Sequence, residues 1–329
     1  MDRASVSVVI PVYNNEPYIA AAVQSVLCQT RQPDEVIVVD DGSTDGTAEV
    51  LKSYRDRIKY VYQRNRGEPA ARNRGICEAA SEHVAFLDGD DLWCANKLEL
   101  QMKYLDRHPE CALVYSDMST FDENGVIDAS VNSRFGISPP SGRIFAALFE
   151  RSLFGSGSVV FRKKCIDKVG YFDETLLVGS DYEMWLRISR HFDMGAVDQP
   201  LLSYRHHATM STRGLGLKMR DGVPWEVAVI SKILQLYPQA IDELGKSTVK
   251  RRLSRPYAGV AYARVRQNEP KEARPLLRKA MACWPTNTWY WILYGATFLN
   301  SGQIAATRKL YRRLAQRADQ TTRSAETLT

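Results

Sequence analysis

Apolar and polar positions fall in blocks along the first hundred residues, and the length and period of each block set its element. Val6–Ile10 (VSVVI) is a short apolar run closed by Pro11, the pattern of a strand buried on both faces. Glu16–Gln29 carries apolar side chains at Ile19, Val23, Val26 and Leu27, a stripe with helical spacing. Val36–Val39 predicts a second buried strand, ending in Asp40-Asp41-Gly42. The polar turn DGSTDGT then leads into a helix over Thr47–Tyr54. Lys59–Tyr62 predicts a third strand, Pro69–Ala80 an alanine-rich helix, and Val84–Leu87 a fourth strand ending at Asp88. Strand–helix repetition with wholly apolar strands predicts an α/β fold with a mainly parallel sheet and helices on both faces.

The pattern is less regular beyond this point. Ala112–Tyr115 and Ser156–Phe161 read as strands, Asp181–Ser189 as a helix, and Leu201–Arg205 as a last strand at the sheet edge. Ser119–Ser141, rich in Gly, Ser, Asn and Asp, reads as loop or hairpin. From Trp225 onward the pattern is helical. The chain thus divides into residues 1–220, which carry the sheet, and 221–329, an α-helical region. Two stretches of that region echo each other, Tyr257–Trp284 and Trp289–Leu314, with polar turns at Gln267–Pro270 and Asn300–Gln303. A period of about 34 residues suits a tetratricopeptide-like helix–turn–helix repeat, and plain helical packing fits the same residues.

Composition adds three constraints. Hydrophobic residues make up 44% of the chain and charged residues 25%, enough apolar material for a large core. The apolar run Trp289–Leu299 is too short for the roughly 20 residues that cross a bilayer, and Met1–Asn15 lacks the basic start and long apolar run of a secretory leader. The six cysteines show no CxxC spacing, so reduced thiols and a cytoplasmic location are expected. Charge is divided unevenly. Residues 245–329 hold 17 Lys and Arg against 4 Asp and Glu, while the remainder holds 27 against 34. Such asymmetry suits contact with an anionic membrane surface, or simply solvated helix faces. No nucleic-acid-binding module is present to use it.

In an open parallel sheet, ligands bind beyond the carboxyl ends of the strands. That rim receives Tyr13-Asn14, Asp40-Asp41, Arg72-Asn73 and the acidic run Asp88-Gly89-Asp90-Asp91. Ser43-Thr44-Asp45 reads as turn and helix-capping chemistry. Three acidic side chains within four residues repel one another, and a divalent cation would reconcile them, since Mn²⁺ and Mg²⁺ favour carboxylate oxygens together with substrate phosphates. Neither a GxxxxGK[ST] loop nor a complete GxGxxG follows a strand, so a nucleotide is expected to be held through metal and carboxylates rather than by a glycine cradle.

Six segments in order, VSVVIPVYNNEPYIAAAVQSVLCQT, EVIVVDDGSTDGT, NRGEPAARNRGI, VAFLDGDDLW, GYFDETLLVGSDYEMWLRI and YRHHATMS, resemble the family 2 glycosyltransferases from Ser5 to about Ser211. The resemblance implies the GT-A, Rossmann-like fold and a nucleoside-diphosphate-sugar donor. It implies a nucleotide-sugar site built from Pro11, Tyr13, Asp41, Arg72, Asp88 and Gly89, with Tyr13 stacking on the base and Asp41 bonding its edge. It implies Asp90 and His207 at a Mn²⁺ or Mg²⁺ ion, and Asp181 as the catalytic base. Many relatives carry Glu before that Asp, where this chain has Ser180. The QxxRW signature of processive members is absent, which points to transfer of one or a few sugars.

By its residue type alone Asp181 also suits a helix N-cap. Trp93 and Trp185 read as core aromatics, with the sugar or acceptor pocket as the other reading. The expected reaction is a single displacement that inverts the anomeric centre, onto a glycan or lipid-linked acceptor selected by Ser119–Phe154, in cell-surface polysaccharide or glycolipid assembly. Two other classes are weighed: a nucleotidyltransferase, which lacks its glycine- and lysine-rich amino-terminal loop here, and a catalytically lapsed nucleotide-binding scaffold, against which the full set Asp41, Asp88, Asp90 and Asp181 stands.

Overall fold

The fold comes from a computed structural model of the chain, which describes residues 3–208, 210 and 219–299. The chain forms two compact units, residues 1–213 and 214–329.

The first unit runs β1 (Val6–Val12), α1 (Ile19–Leu27), β2 (Glu35–Asp40), α2 (Thr47–Leu51), β3 (Lys59–Tyr62), α3 (Glu68–Glu78), β4 (His83–Phe86), β5 (Leu92–Trp93) and α4 (Lys97–Arg107). It continues through β6 (Cys111–Asp122), β7 (Gly125–Asp128), α5 (Val131–Phe135), α6 (Phe145–Glu150), β8 (Val160–Arg162), α7 (Cys165–Val169), α8 (Ser180–His191) and β9 (Asp193–Arg205). Among the described residues these nine strands make one sheet in the order β3-β2-β1-β4-β8-β6-β9-β5, with β7 paired to β6.

The β3-β2-β1-β4 half is parallel, with Val8 opposite Val36 and Ala85. The other half is mixed. β8 runs antiparallel to both β4 and β6, and β5 antiparallel to β9. Apolar runs such as Val159-Val160-Phe161 are buried on both faces whichever way the strand points, so composition predicts burial there but not direction. Leu201–Arg205 is not at the edge: it is the end of a 13-residue strand lying between β6 and β5, and the two-residue β5 forms the edge. The polar and half-exposed stretch of β9 around Val197–Pro200 hides its first half from a reading of apolar runs.

Side chains from β1 (Val6, Val8, Ile10, Val12) pack with α1 (Ile19, Val23, Val26) and α4 (Leu98, Met102, Leu105) on one face. On the other face α3 lies against the sheet so closely that a β-carbon at Gly75 would stand 2.1 Å from Val9. A glycine inside a helix costs about 1 kcal/mol relative to alanine, and here it admits the contact. Phe86, Phe161, Phe172 and the fully buried Trp185 of α8 complete that face as an aromatic cluster with ring centroids 5.6–6.2 Å apart. Trp93 is buried too, so both tryptophans belong to the core.

The second unit begins with a short hairpin, β10 (Met219–Arg220) and β11 (Val223–Pro224). It continues as α9 (Trp225–Leu236), α10 (Ala240–Leu244), α11 (Lys246–Arg266), α12 (Pro270–Cys283) and α13 (Thr288–Ala296). Val260, Ala261, Leu277, Ala280, Tyr290 and Leu293 form its core. The turn between α11 and α12 holds Asn268 at φ 64°, a left-handed position that asparagine tolerates. The second turn of the repeat-like echo, at residues 300–303, lies outside the described residues. No helix among those described is long and apolar enough to cross a membrane.

Candidate functional site

β1, β2 and β4 are parallel, so their carboxyl ends deliver three polar loops to one rim. The first two loops are knitted together. Asn14, at φ 53°, receives Thr44 N on its Oδ1 at 2.7 Å and donates its own N to Ser43 Oγ at 3.0 Å. Asn15 N reaches Thr47 Oγ1, Glu16 N reaches Asp45, and Gly46 N donates back to Glu16 at 2.8 Å. Ser43-Thr44-Asp45 therefore does turn work, with Asp45 Oδ1 also accepting Thr47 N at the start of α2, and this cross-lacing fixes the backbone just after Tyr13, whose ring is 48% exposed. Pro11 lies buried inside β1, two residues earlier.

Asp41 is buried and accepts three donors from the loop before α3: Gln63 Nε2 at 2.7 Å, Arg66 N at 2.9 Å and Gly67 N at 2.8 Å. A carboxylate has about four lone-pair sites, so this one shapes the loop and keeps room for one more donor. Its neighbour Asp40 is equally buried and takes Tyr60 Oη at 2.6 Å and Ser43 N at 2.8 Å.

The loop leads into α3, where Arg72 is buried between Phe86 and Phe172, 5.9 Å from each ring centre. Its guanidinium donates to Asp88 Oδ1 at 2.8 Å and pairs with Glu68 one helical turn earlier. Glu68 was not among the residues picked from the sequence, although its i,i+4 spacing to Arg72 is the signal that would have found it. Desolvation by the surrounding cleft pushes the carboxyl of Glu68, whose side chain is still 43% accessible, up to about 7; Arg72 pulls it down, while the charges of Asp88, Asp181 and Asp90 add to the rise. Asp181 therefore shares an electrostatic neighbourhood with the DGDD segment, although the two are far apart in sequence.

The acidic cluster needs less outside help than its spacing suggests, because the protein answers each carboxylate. Asp88 faces Arg72. Asp90 Oδ2 lies 2.9 Å from His207 Nε2, and the buried Asp91 accepts Arg205 N at 2.8 Å. Arg205 Nε also donates to the Asp90 carbonyl at 2.8 Å while its guanidinium covers Tyr18 and Phe121, and the Tyr18 ring lies tilted against His207 with centroids 4.6 Å apart. Arg205 and Tyr18 are thus further members of the site. Burial and then the Asp88 charge raise Asp90 above the usual carboxylate range, against the pull of His207. Burial raises Asp91 further, with Asp88 and Asp90 adding to it. Gly89 lets the segment approach β1: a β-carbon there would lie 2.9 Å from Asn15 Nδ2 and 3.1 Å from Val12.

No group of three or more His, Cys, Asp or Glu side chains gathers for a metal among the described residues. Asp90 and His207 form an oxygen–nitrogen pair, and a Mn²⁺ or Mg²⁺ site of this type takes its remaining ligands from a diphosphate and water. The donor set fits that group.

Asp181 stands in the first turn of α8, one residue after Ser180 and two after Gly179 at φ 75°. Its Oδ1 accepts Tyr182 N at 2.7 Å and its Oδ2 lies 3.4 Å from Ser156 Oγ. The helix is tied down behind it: Arg187 bonds Glu183, both buried, and donates to the Val169 and Tyr171 carbonyls. Asn73 of α3 exchanges two hydrogen bonds of 2.9 Å with the backbone of Phe172. α3 and α8 are therefore clamped to one intervening segment.

A sheet whose strand ends carry an aspartate pair, a DGDD run with its histidine, and an aspartate opening a facing helix is the GT-A arrangement of a glycosyltransferase. Residues 7–170 match the family model described as "Glycosyl transferase family 2", and the chain belongs to that family. It is similar to an uncharacterized glycosyltransferase of Rickettsia bellii, 33% identical over 204 residues, 61% of this chain and 29% of that one. It is also similar to the Escherichia coli UDP-Glc:alpha-D-GlcNAc-diphosphoundecaprenol beta-1,3-glucosyltransferase WfgD, 28% identical over 214 residues, 64% of this chain and 80% of that one. The chain spans less than two thirds of the length of the Rickettsia relatives it matches. Its fold matches the crystal structure of S. aureus TarS 1-349 in complex with UDP, with a TM-score of 0.57 and 20% identity over 85% of this chain and 81% of that one.

Proposed function

We propose that this protein is a metal-dependent, inverting glycosyltransferase that moves a sugar from a UDP-sugar to a hydroxyl acceptor. The observation that carries it is the convergence of Arg72, Asp88, Asp90 and His207 at one rim, within electrostatic reach of Asp181. Tyr13 and Asp41 receive the base, Arg72 and Asp88 flank the ribose, and Asp90 with His207 hold Mn²⁺ or Mg²⁺. When bound, that ion supplies positive charge for the departing diphosphate. Asp181 takes the proton of the acceptor hydroxyl as its oxygen attacks the anomeric carbon from the face opposite the leaving group. One displacement inverts the centre, and no carboxylate nucleophile is needed.

The UDP named with TarS and the UDP-Glc named with WfgD support a UDP-sugar. The diphosphoundecaprenol in the WfgD name supports a lipid-linked acceptor and a place in cell-surface glycan assembly. The excess of Lys and Arg in residues 245–329 supports peripheral contact with an anionic membrane on its cytoplasmic side.

A panel of nucleotide sugars incubated with Mn²⁺ should release UDP from one of them. Asp181→Asn should lose that turnover by about 10²–10⁴-fold while still binding UDP. Near-normal turnover in that variant would remove Asp181 from its role. Pyrophosphate release from a nucleoside triphosphate would favour a nucleotidyltransferase instead.

A further inference from the structure

The core beneath Asp181 contains polar groups that the mechanism above does not use. Lys97 and Gln101, one turn apart on α4, are fully buried, and Trp93 is buried beside them. Lys97 Nζ donates to Gln101 Oε1 at 2.6 Å and sits 4.0 Å over the Trp93 ring. Burial drives the lysine well below its ordinary pKa. An apolar residue would fill this place at less cost, so the arrangement calls for an explanation.

The other ends of these side chains supply one. Trp93 Nε1 donates to the Gly157 carbonyl at 2.8 Å, and Gln101 Nε2 donates to the Ser158 carbonyl at 2.7 Å. Two consecutive buried carbonyls, each of which needs a donor, are gripped from below. With Lys97 Nζ donating to its oxygen, Gln101 turns that oxygen inward and its NH₂ toward Ser158. The gripped turn closes on itself through Ser158 Oγ to the Gly155 carbonyl at 2.8 Å, and packs against Leu202 of β9. At its near end, Ser156 Oγ lies 3.4 Å from Asp181 Oδ2. That distance is long for an O–H···O bond, so a small movement of the turn makes or breaks the contact.

We propose that Lys97, Gln101 and Trp93 are positioning residues, a buried bracket that sets the height of the Ser156–Ser158 turn and, through Ser156, the orientation of Asp181. The proposal rests on Asp181 being the base, and it deepens that reading by adding residues that never touch substrate.

The test is a double-mutant cycle on the full chain, using the nucleotide sugar that the wild type hydrolyses with Mn²⁺ and measuring UDP affinity by calorimetry. Trp93→Phe keeps the ring and removes the donor; Ser156→Ala removes the contact to Asp181. Each should lower kcat by about tenfold and leave donor KM and UDP affinity within about twofold. The double variant should be no slower than Ser156→Ala alone, since both act through one contact. Effects that multiply, an unchanged kcat in Trp93→Phe, or UDP affinity falling together with kcat would each overturn the proposal. Gln101→Met with Ser156→Ala gives the same cycle if Trp93→Phe does not fold. Asp181→Asn separates the two readings. If it retains turnover, the base assignment fails and the bracket with it. If it loses turnover while the cycle multiplies, only the bracket fails.

Discussion

Glu68→Gln should make the protein more resistant to alkaline unfolding. Desolvation in the cleft raises the folded-state pKa of Glu68 to about 7 from an ordinary 4.5; Arg72, its ion-pair partner, pulls against this, and the charges of Asp88, Asp181 and Asp90 add to the rise. Between those values the folded protein holds the Glu68 proton more tightly than the unfolded chain does. The contribution of Glu68 to stability is therefore highest below about pH 4.5 and is lost as pH rises through about 7. In a dry site a shift of this size would amount to roughly 3 kcal/mol. The side chain is 43% accessible, so solvent screens it and about 1 kcal/mol remains. Gln stands in for the protonated acid and does not titrate. Relative to wild type, the variant should therefore gain about 1 kcal/mol in unfolding free energy between about pH 5 and about pH 8. Urea unfolding followed by tryptophan fluorescence, without nucleotide or metal, measures this directly. A difference that stays flat with pH, or that favours wild type as pH rises, would refute the reasoning: Arg72 would then outweigh desolvation and the three carboxylates together.

Other consequences follow from the same contacts. Saturating Mn²⁺ at about 100 times its Kd should add about 2.7 kcal/mol of stability and raise the thermal midpoint by several degrees. Asp90→Asn and His207→Ala should each abolish most of that rise, and an equal rise in Asp90→Asn would move the ion elsewhere. Trp185→Ala should cost about 3–5 kcal/mol by leaving a cavity among Phe154, Phe161 and Phe172. Trp185→Phe should cost less, because the buried indole N–H has no hydrogen-bond partner among the described residues; denaturation midpoints of the two variants decide this.

The strand ends were legible in the sequence because β1, β2 and β4 are apolar runs followed by polar residues. That pattern alone brings Tyr13, Asp41 and Asp88 to one rim. Asp181 was singled out by resemblance and not by chemistry, since an aspartate opening a helix looks the same whether it caps or catalyses. Glu68, Arg205, Tyr18 and Ser156 were harder to find. Their significance lies in what they face, and their partners are tens to more than a hundred residues distant, apart from Glu68, whose partner is one turn away.

What the sequence by itself determined is which segments are buried and which loops are polar, because burial depends on local apolar pattern and period. Strand direction in the carboxyl half of the sheet was decided only in three dimensions, since Val160–Arg162 buries equally well in either sense. So was the fate of the acidic run. Asp88, Asp90 and Asp91 look like mutual repulsion waiting for a cation until the fold supplies Arg72, His207 and the Arg205 amide. Charge acts through space with no regard to chain order, so pairings across sixteen and more than a hundred residues leave no periodic trace in the sequence.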